Sequence, residues 1–328
     1  MNKKVVLSGT RSTGALHFGN YFGAVENWVS LQDKFDCYFF IADWHSLTTG
    51  YENTSNYIQN INDVVMDLYA SGLDHSKCNI FLQSRNQDHA ELHLLLSMIT
   101  PLSWLERCPT YKEQLLQLTD KDIRTYGFLG YPNLMASDIL VYRADAVPVG
   151  EDQLPHLEIT REIARRFNFL YGDTFPEPQA LLTKAKVLPG LDGRKMSKSY
   201  GNTIALKDTG DVLRTKVMSM VTDPSRIKKT DPGHPDICSV YAFHKVFNET
   251  ETPAICESCK KGEIGCVACK KNLYQKVSEY MEPITTRRKE IEARPDLVRD
   301  ILIKGTANAK IKSAETMESV RKAMKINW

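Results

Sequence analysis

A chain of 328 residues, 42% hydrophobic and 25% charged, has the balance of an ordinary globular protein, large enough for a sizeable core and for two domains rather than one. Its formal charge of +2 neither requires nor excludes a nucleic-acid partner, because a local basic patch can sit inside a balanced total. No apolar run reaches the length of a membrane span. The opening Met-Asn-Lys-Lys is followed only by Val5, Val6 and Leu7 before Ser8 and Gly9, too few for a secretory signal core, so a cytoplasmic protein with no membrane partner is expected.

Residues 5–8 are a short apolar strand ending at Gly9, and 19–31 has a helical pattern. Residues 37–43 (CYFFIAD) read as a second buried strand, 54–71 as a helix stopped by Gly72, and 79–83 (NIFLQ) as a third strand. A helical region runs on to about 106, and 146–149 (AVPV) is a fourth strand, with Pro148 counting against an interior position. This alternation predicts an α/β fold with a parallel sheet covered on both faces. Residues 182–202 are rich in Gly, Lys and Ser. Beyond them only helices are read, at 209–221, at 272–291 and in the last segment, where Pro295 stands just inside a start and Gly305 interrupts. The domain boundary is therefore set near residue 200, dividing 1–200 from a helical 201–328.

Two segments carry chemistry. Residues 9–20 (GTRSTGALHFGN) leave the first strand and enter the first helix, where ligands of parallel folds bind. Glycines admit phosphates to the backbone, the helix start offers free N–H groups, and His17 adds a donor. By itself the segment is equally a plain glycine turn. The second is Lys195-Met196-Ser197-Lys198-Ser199. Two lysines three apart can wrap a pyrophosphate and stabilise a transition state at the α-phosphorus; taken alone, such a run is usually a solvated basic loop.

Taken together, His17-Phe18-Gly19-Asn20 resembles the first signature of class I aminoacyl-tRNA synthetases and Lys195 to Ser199 resembles the second, in the expected order. A third stretch separates the amino acids. If 131–142 is helical, Tyr131, Met135, Asp138 and Tyr142 share a face. An indole needs flat apolar walls and one acceptor for its N–H, and a lone carboxylate at Asp138 among apolar groups suits that need. The run MASDIL at 135–140, with Gly150-Glu151-Asp152-Gln153 and Ile41-Ala42-Asp43-Trp44-His45, looks like the tryptophan-specific family rather than the tyrosine-specific one. The resemblance spans 5–226, includes Val221-Thr222-Asp223, and extends more faintly into the C-terminus.

This resemblance implies a Rossmann-like catalytic domain, a helical anticodon-binding domain, and a two-step reaction with ATP, Mg²⁺, L-tryptophan and tRNA(Trp), carried out by a homodimer. It implies His17, Lys195 and Lys198 as catalytic residues. It implies an ATP site at Arg11, Ser12, Thr13, Gly19, Asn20, Gly150, Glu151, Asp152, Val187, Lys195, Met196, Ser197, Lys198 and Ser199. The tryptophan site it implies is Gly9, His45, Tyr131, Met135, Asp138 and Gln153. One departure is Arg11, where the family pattern carries glutamine; arginine there either contacts ATP phosphates or changes how the amino group is held.

Five of eight cysteines crowd into 238–269, which in a cytosolic chain favours metal over disulfide. The pattern Cys256-x2-Cys259-x6-Cys266-x2-Cys269 suits zinc or a [4Fe–4S] cluster, and spacing does not separate them. A bacterial subset of the family carries a [4Fe–4S] cluster with this Cys-x6-Cys-x2-Cys spacing. That resemblance implies Cys238, Cys259, Cys266 and Cys269 as ligands, with Cys256 a rival for the fourth place and zinc the alternative. Lys260, Lys261, Lys270, Lys271 and 287–289 (RRK) surround the site and suit contact with RNA phosphates.

Overall fold

The alternation of apolar runs and helices builds a five-stranded, wholly parallel sheet in the order β3-β2-β1-β4-β5. The strands are β1 (Val5–Thr10), β2 (Asp36–Ile41), β3 (Asn79–Leu82), β4 (Ala146–Val149) and β5 (Gln179–Leu182). A computed structural model describes residues 3–117, 122–182 and 186–327; Met1 and Asn2 of the basic start lie outside the described residues. β1 and β2 pair from Val5 opposite Asp36 to Thr10 opposite Ile41. β1 and β4 are matched at Val6 opposite Ala146, and β4 is an interior strand despite Pro148, which lies opposite Leu181 of β5. The strand order reverses between β1 and β4, so their carboxyl ends frame the crevice where ligands of doubly wound folds bind.

Alternate residues of each strand face opposite layers. Val6, Phe39 and Ile41 join a core with Leu16, Phe18 and Trp28, whose ring stacks on Phe39 at 4.9 Å. This core runs on into Leu273, Val277 and Met281 of the helix Cys266–Glu292, so the sheet and the helical region are packed together. On the other face Leu7, Phe40, Phe81, Val147 and Leu157 form the second core.

After β5 the named elements are helical, ending in the long helices Cys266–Glu292 and Pro295–Met324. Gly305 does not interrupt the last one. It is a contact point, because a Cβ added there would lie 1.9 Å from the Ile80 carbonyl oxygen of β3. Only a residue without a side chain lets helix and strand backbones approach so closely. The C-terminal helix thereby returns to the sheet and buries Met317 and Val320 in the second core. Among the described residues no helix is long and apolar enough to cross a membrane.

Candidate active site

A cavity of about 770 Å³ opens at the carboxyl ends of β1 and β4. It is lined by residues of both signature segments, by the helix Tyr131–Leu140, and by Thr110 and Gln114 of the helix Pro109–Gln117.

The glycine-rich segment turns into a continuous helical run, Phe18–Asn20, then a π-helical Tyr21–Val25, then Glu26–Leu31. His17 stands at its start, and the Asn20 side chain accepts from the His17 backbone N–H at 3.1 Å, which closes the turn. Gly19 lies against the His17 ring; a Cβ there would sit 2.9 Å from it. Burial and the nearby Lys198 ammonium push His17 down to about 4, so at neutral pH it meets a ligand as an uncharged imidazole.

The second signature loop lies against the first. Lys198 Nζ donates to Gly14 O at 2.7 Å, and Met196 is buried in the core beside Gly19. The Asn202 side chain accepts from Ser197 N at 2.8 Å. Burial lowers the Lys198 ammonium to about 8, with Lys207 adding to the effect and Asp67 and Asp63 opposing it. Arg11 lines the cavity and donates to Thr49 Oγ1, and its Nε is buried without a partner. Among the described residues no carboxylate forms an ion pair with it. Burial lowers the Arg11 guanidinium from its ordinary value.

At the deeper end, Asp138 is fully buried. Its Oδ1 accepts from His89 Nδ1 at 2.7 Å and Gln83 Nε2 at 2.8 Å; its Oδ2 lies 2.8 Å from His45 Nε2 and 3.0 Å from Gln83 Nε2. Burial pushes the carboxyl up, but hydrogen bonds from His45 and His89 outweigh it and hold the group at about 2. The expectation of a lone carboxylate among apolar groups is therefore corrected: three side chains donate to it. Tyr131 shares this end, its hydroxyl 2.7 Å from His156 Nε2. Tyr142 does not. The helix ends at Leu140, and Tyr142 is wholly buried in the second core.

Gly9, Arg11, Thr13, His17, Gly19, Asn20, His45, Tyr131, Met135, Asp138, Gly150, Asp152, Gln153, Val187 and Lys195 to Lys198 all line the one cavity. Three predicted residues do not. Ser12 is turned inward, its N and Oγ against Ser46 Oγ at 2.8 and 3.1 Å. Glu151 is exposed on a short turn, and Ser199 bonds the Ser197 hydroxyl at 2.8 Å outside the cavity. Sequence reasoning missed Gln83, His89 and His156. The first two follow β3 closely, where strand ends deliver site residues, so the signal was present.

Cys238, Cys259, Cys266 and Cys269 line a second, small cavity of about 20 Å³ with Arg226 and Tyr241. Arg226 Nη1 lies 3.9 Å from both Cys259 and Cys266 Sγ. Cys256 is not among the lining residues. Among the described residues, no three His, Cys, Asp or Glu side chains form a group that could hold a metal ion.

The sequence model of the class I tRNA synthetases for W and Y matches residues 2–282. The chain belongs to the class I tryptophanyl-tRNA synthetases. It is 48% identical to the tryptophan–tRNA ligase of Thermotoga maritima and 44% identical to that of Aquifex aeolicus, each over 98% of this chain and 99% of the relative. The crystal structure of the Campylobacter jejuni tryptophanyl-tRNA synthetase with ADP and tryptophan superposes with a TM-score of 0.87 at 32% identity, covering 98% of this chain and 99% of that one. The Rossmann-like sheet and helical C-terminal region are those of the tryptophanyl-tRNA synthetase fold.

In this synthetase fold the turn of the first signature segment is tied to the helical region by an ion pair. Arg288, expected on a basic surface, is buried instead: it contacts Asp67, donates to Asp63 Oδ1 at 2.8 Å and to Glu292 Oε1 at 2.8 Å. Asp67 Oδ2 in turn accepts from Leu16 N at 2.6 Å, next to His17. Removing the cation leaves a buried carboxylate without its main partner, so Arg288→Met should lower stability by about 3–5 kcal/mol. Urea denaturation measures this, and adding Asp67→Asn should recover part of the loss; an unchanged midpoint in the single variant would contradict it.

Proposed function

We propose that the chain activates L-tryptophan with ATP and transfers it to tRNA(Trp). One observation carries the reading: a buried carboxylate at the deep end of a cavity whose other end is built from both synthetase signatures. The indole sits between Met135 and Phe40 with its N–H toward Asp138 Oδ2. Tyr131, His45 and Gln153 border it and Gly9 lies beneath. ATP lies along Thr13, Gly19, Asn20, Gly150 and Asp152, with its adenosine near Val187 and Met196. The amino-acid carboxylate attacks the α-phosphorus, the P–O bond to pyrophosphate breaks, and a mixed anhydride forms. His17 donates to the phosphate from an uncharged ring, and Lys195 and Lys198 receive the leaving pyrophosphate. No side-chain nucleophile is needed, since orientation and charge supply the catalysis. Arg11, a half-buried cation whose Nε has no partner, faces the reacting anions. Mg²⁺ accompanies the ATP phosphates and lessens their charge. A terminal ribose hydroxyl of the tRNA then takes the acyl group and AMP leaves.

The split into a catalytic unit 1–200 and a tRNA-facing unit 201–328 belongs to the same proposal. Lys260, Lys261, Lys271 and Lys289 are exposed there and suit an RNA backbone. Arg287 and Lys270 are engaged with the carbonyls of Ala70 and Met218 and hold structure instead. Exposed Leu94, Met98 and Leu102 offer an apolar face consistent with a homodimer. Cys238, Cys259, Cys266 and Cys269, which share one small cavity, would be the ligands of a [4Fe–4S] cluster, with zinc as the alternative. When bound, the cluster would staple the chain around it and order the lysine-bearing loop.

ATP–pyrophosphate exchange tests the reading: tryptophan should support it and tyrosine should not, and exchange with tyrosine alone would sink it. Lys198 is charged below about pH 8 and loses its charge above, so kcat/KM for ATP should fall as pH rises through 8. Lys198→Arg should remove that alkaline limb; an unchanged limb would assign it elsewhere. Anaerobically reconstituted protein should hold iron and sulfide in equal amounts, and Cys266→Ser should lose both and impair tRNA charging more than exchange. Stoichiometric zinc in place of iron would refute the cluster.

A further inference from the structure

Behind the amino-acid pocket lies a closed line of buried polar groups that neither signature accounts for. Asn86 Nδ2 lies 2.9 Å from both Tyr142 Oη and Ser313 Oγ. Tyr142 Oη lies 2.8 Å from His89 Nε2, and His89 Nδ1 lies 2.7 Å from Asp138 Oδ1. Ser313 belongs to the C-terminal helix, beyond the residues that the family's sequence model matches, and its hydroxyl donates to Asp88. Asp138, His89, Tyr142 and Ser313 are wholly buried and Asn86 is 1% exposed.

Elementary hydrogen-bond counting fixes every proton in this line. The Asn86 amide is oriented by Asp88 N, which donates to its Oδ1, so both amide protons are spent on Tyr142 and Ser313. Tyr142 Oη, already accepting, must donate its own proton to His89 Nε2. His89 therefore carries its proton on Nδ1, directed at Asp138. The surroundings are aromatic: Tyr38 stacks on Tyr142 at 5.3 Å, and Phe81 lies 6.1 Å from His89. The opposite tautomer would set a nitrogen lone pair against a carboxylate oxygen where no water can intervene, which is costly in such a medium.

We propose that His89 is a positioning residue for amino-acid recognition: Tyr142, Asn86 and Ser313 hold it in the one tautomer that donates to Asp138, and this pins the carboxylate with Oδ2 presented to the indole N–H. The proposal rests on the reading of Asp138 as the indole acceptor. It makes the C-terminal helix part of the specificity apparatus, acting through Ser313 at a distance from the substrate.

The test compares L-tryptophan with its 3-benzothienyl analogue, in which sulfur replaces the N–H, in ATP–pyrophosphate exchange by the full chain. Tyr142→Phe frees the tautomer while keeping the ring. It should raise KM for tryptophan about tenfold, with kcat and KM for ATP within about twofold and the analogue nearly unaffected. Ser313→Ala should act in the same direction but less. His89→Asn places an amide donor near the lost Nδ1 and should recover most of the discrimination that His89→Phe abolishes. Equal losses for both substrates in Tyr142→Phe, or equal impairment by His89→Asn and His89→Phe, would overturn the proposal. Asp138→Leu, which keeps the volume and removes the acceptor, separates the two layers. If it leaves discrimination intact, the indole-acceptor reading itself falls. If it abolishes discrimination while the Tyr142 and His89 variants preserve it, only the positioning role falls.

Discussion

An ionised carboxylate buried out of reach of water must be held by donors or it will take up a proton. Asp138 meets that condition with Gln83, His45 and His89, supplied by the ends of β2 and β3 and by the helix Asp88–Ser97. Much of the arrangement around the pocket follows from this requirement. The sheet brings strand ends together, the helix Tyr131–Leu140 carries the acid inward, and the C-terminal helix closes the far side of the network. An anion so supported can be a fixed acceptor for a substrate that offers one N–H, and a poor site for one that does not.

The end of the cavity built from the two signature segments is organised by contacts between segments distant in sequence. Lys198 reaches Gly14, and the segment after it pairs with the first signature: Phe18 N bonds Ile204 O at 3.0 Å, and Leu206 N bonds Leu16 O at 2.8 Å. Asp67 grips Leu16 from behind, and Arg288 grips Asp67 from the helical region. The turn that presents His17 is therefore fixed from both sides.

Four strands and the two signature segments were legible in the sequence because apolar blocks and glycine-lysine clusters are local signals. β5 was not, since Gln179–Leu182 is a short edge strand without a buried face. Gly305 read as a break because sequence shows its missing side chain and not the Ile80 carbonyl that requires it. Arg288 sat in a basic run and read as surface, while its partners Asp63 and Asp67 lie more than two hundred residues away. The same limit applied at Asp138: helical spacing identified the acid, but its donors arrive through the sheet. Spacing also grouped Tyr142 with the pocket, whereas the helix ends two residues earlier and leaves that ring in the core. Cys238, distant from the paired motif in sequence, lines the same small cavity as Cys259, Cys266 and Cys269.

In the proposed complex Asp138 addresses the indole nitrogen directly. A crystal structure of the chain with bound L-tryptophan tests it most plainly. The account predicts the ring nitrogen within hydrogen-bond distance of Asp138 Oδ2, with the ring between Met135 and Phe40 and the His89 contact retained. An indole nitrogen bonded elsewhere, with Asp138 still enclosed by its three donors and turned from the ligand, would contradict it.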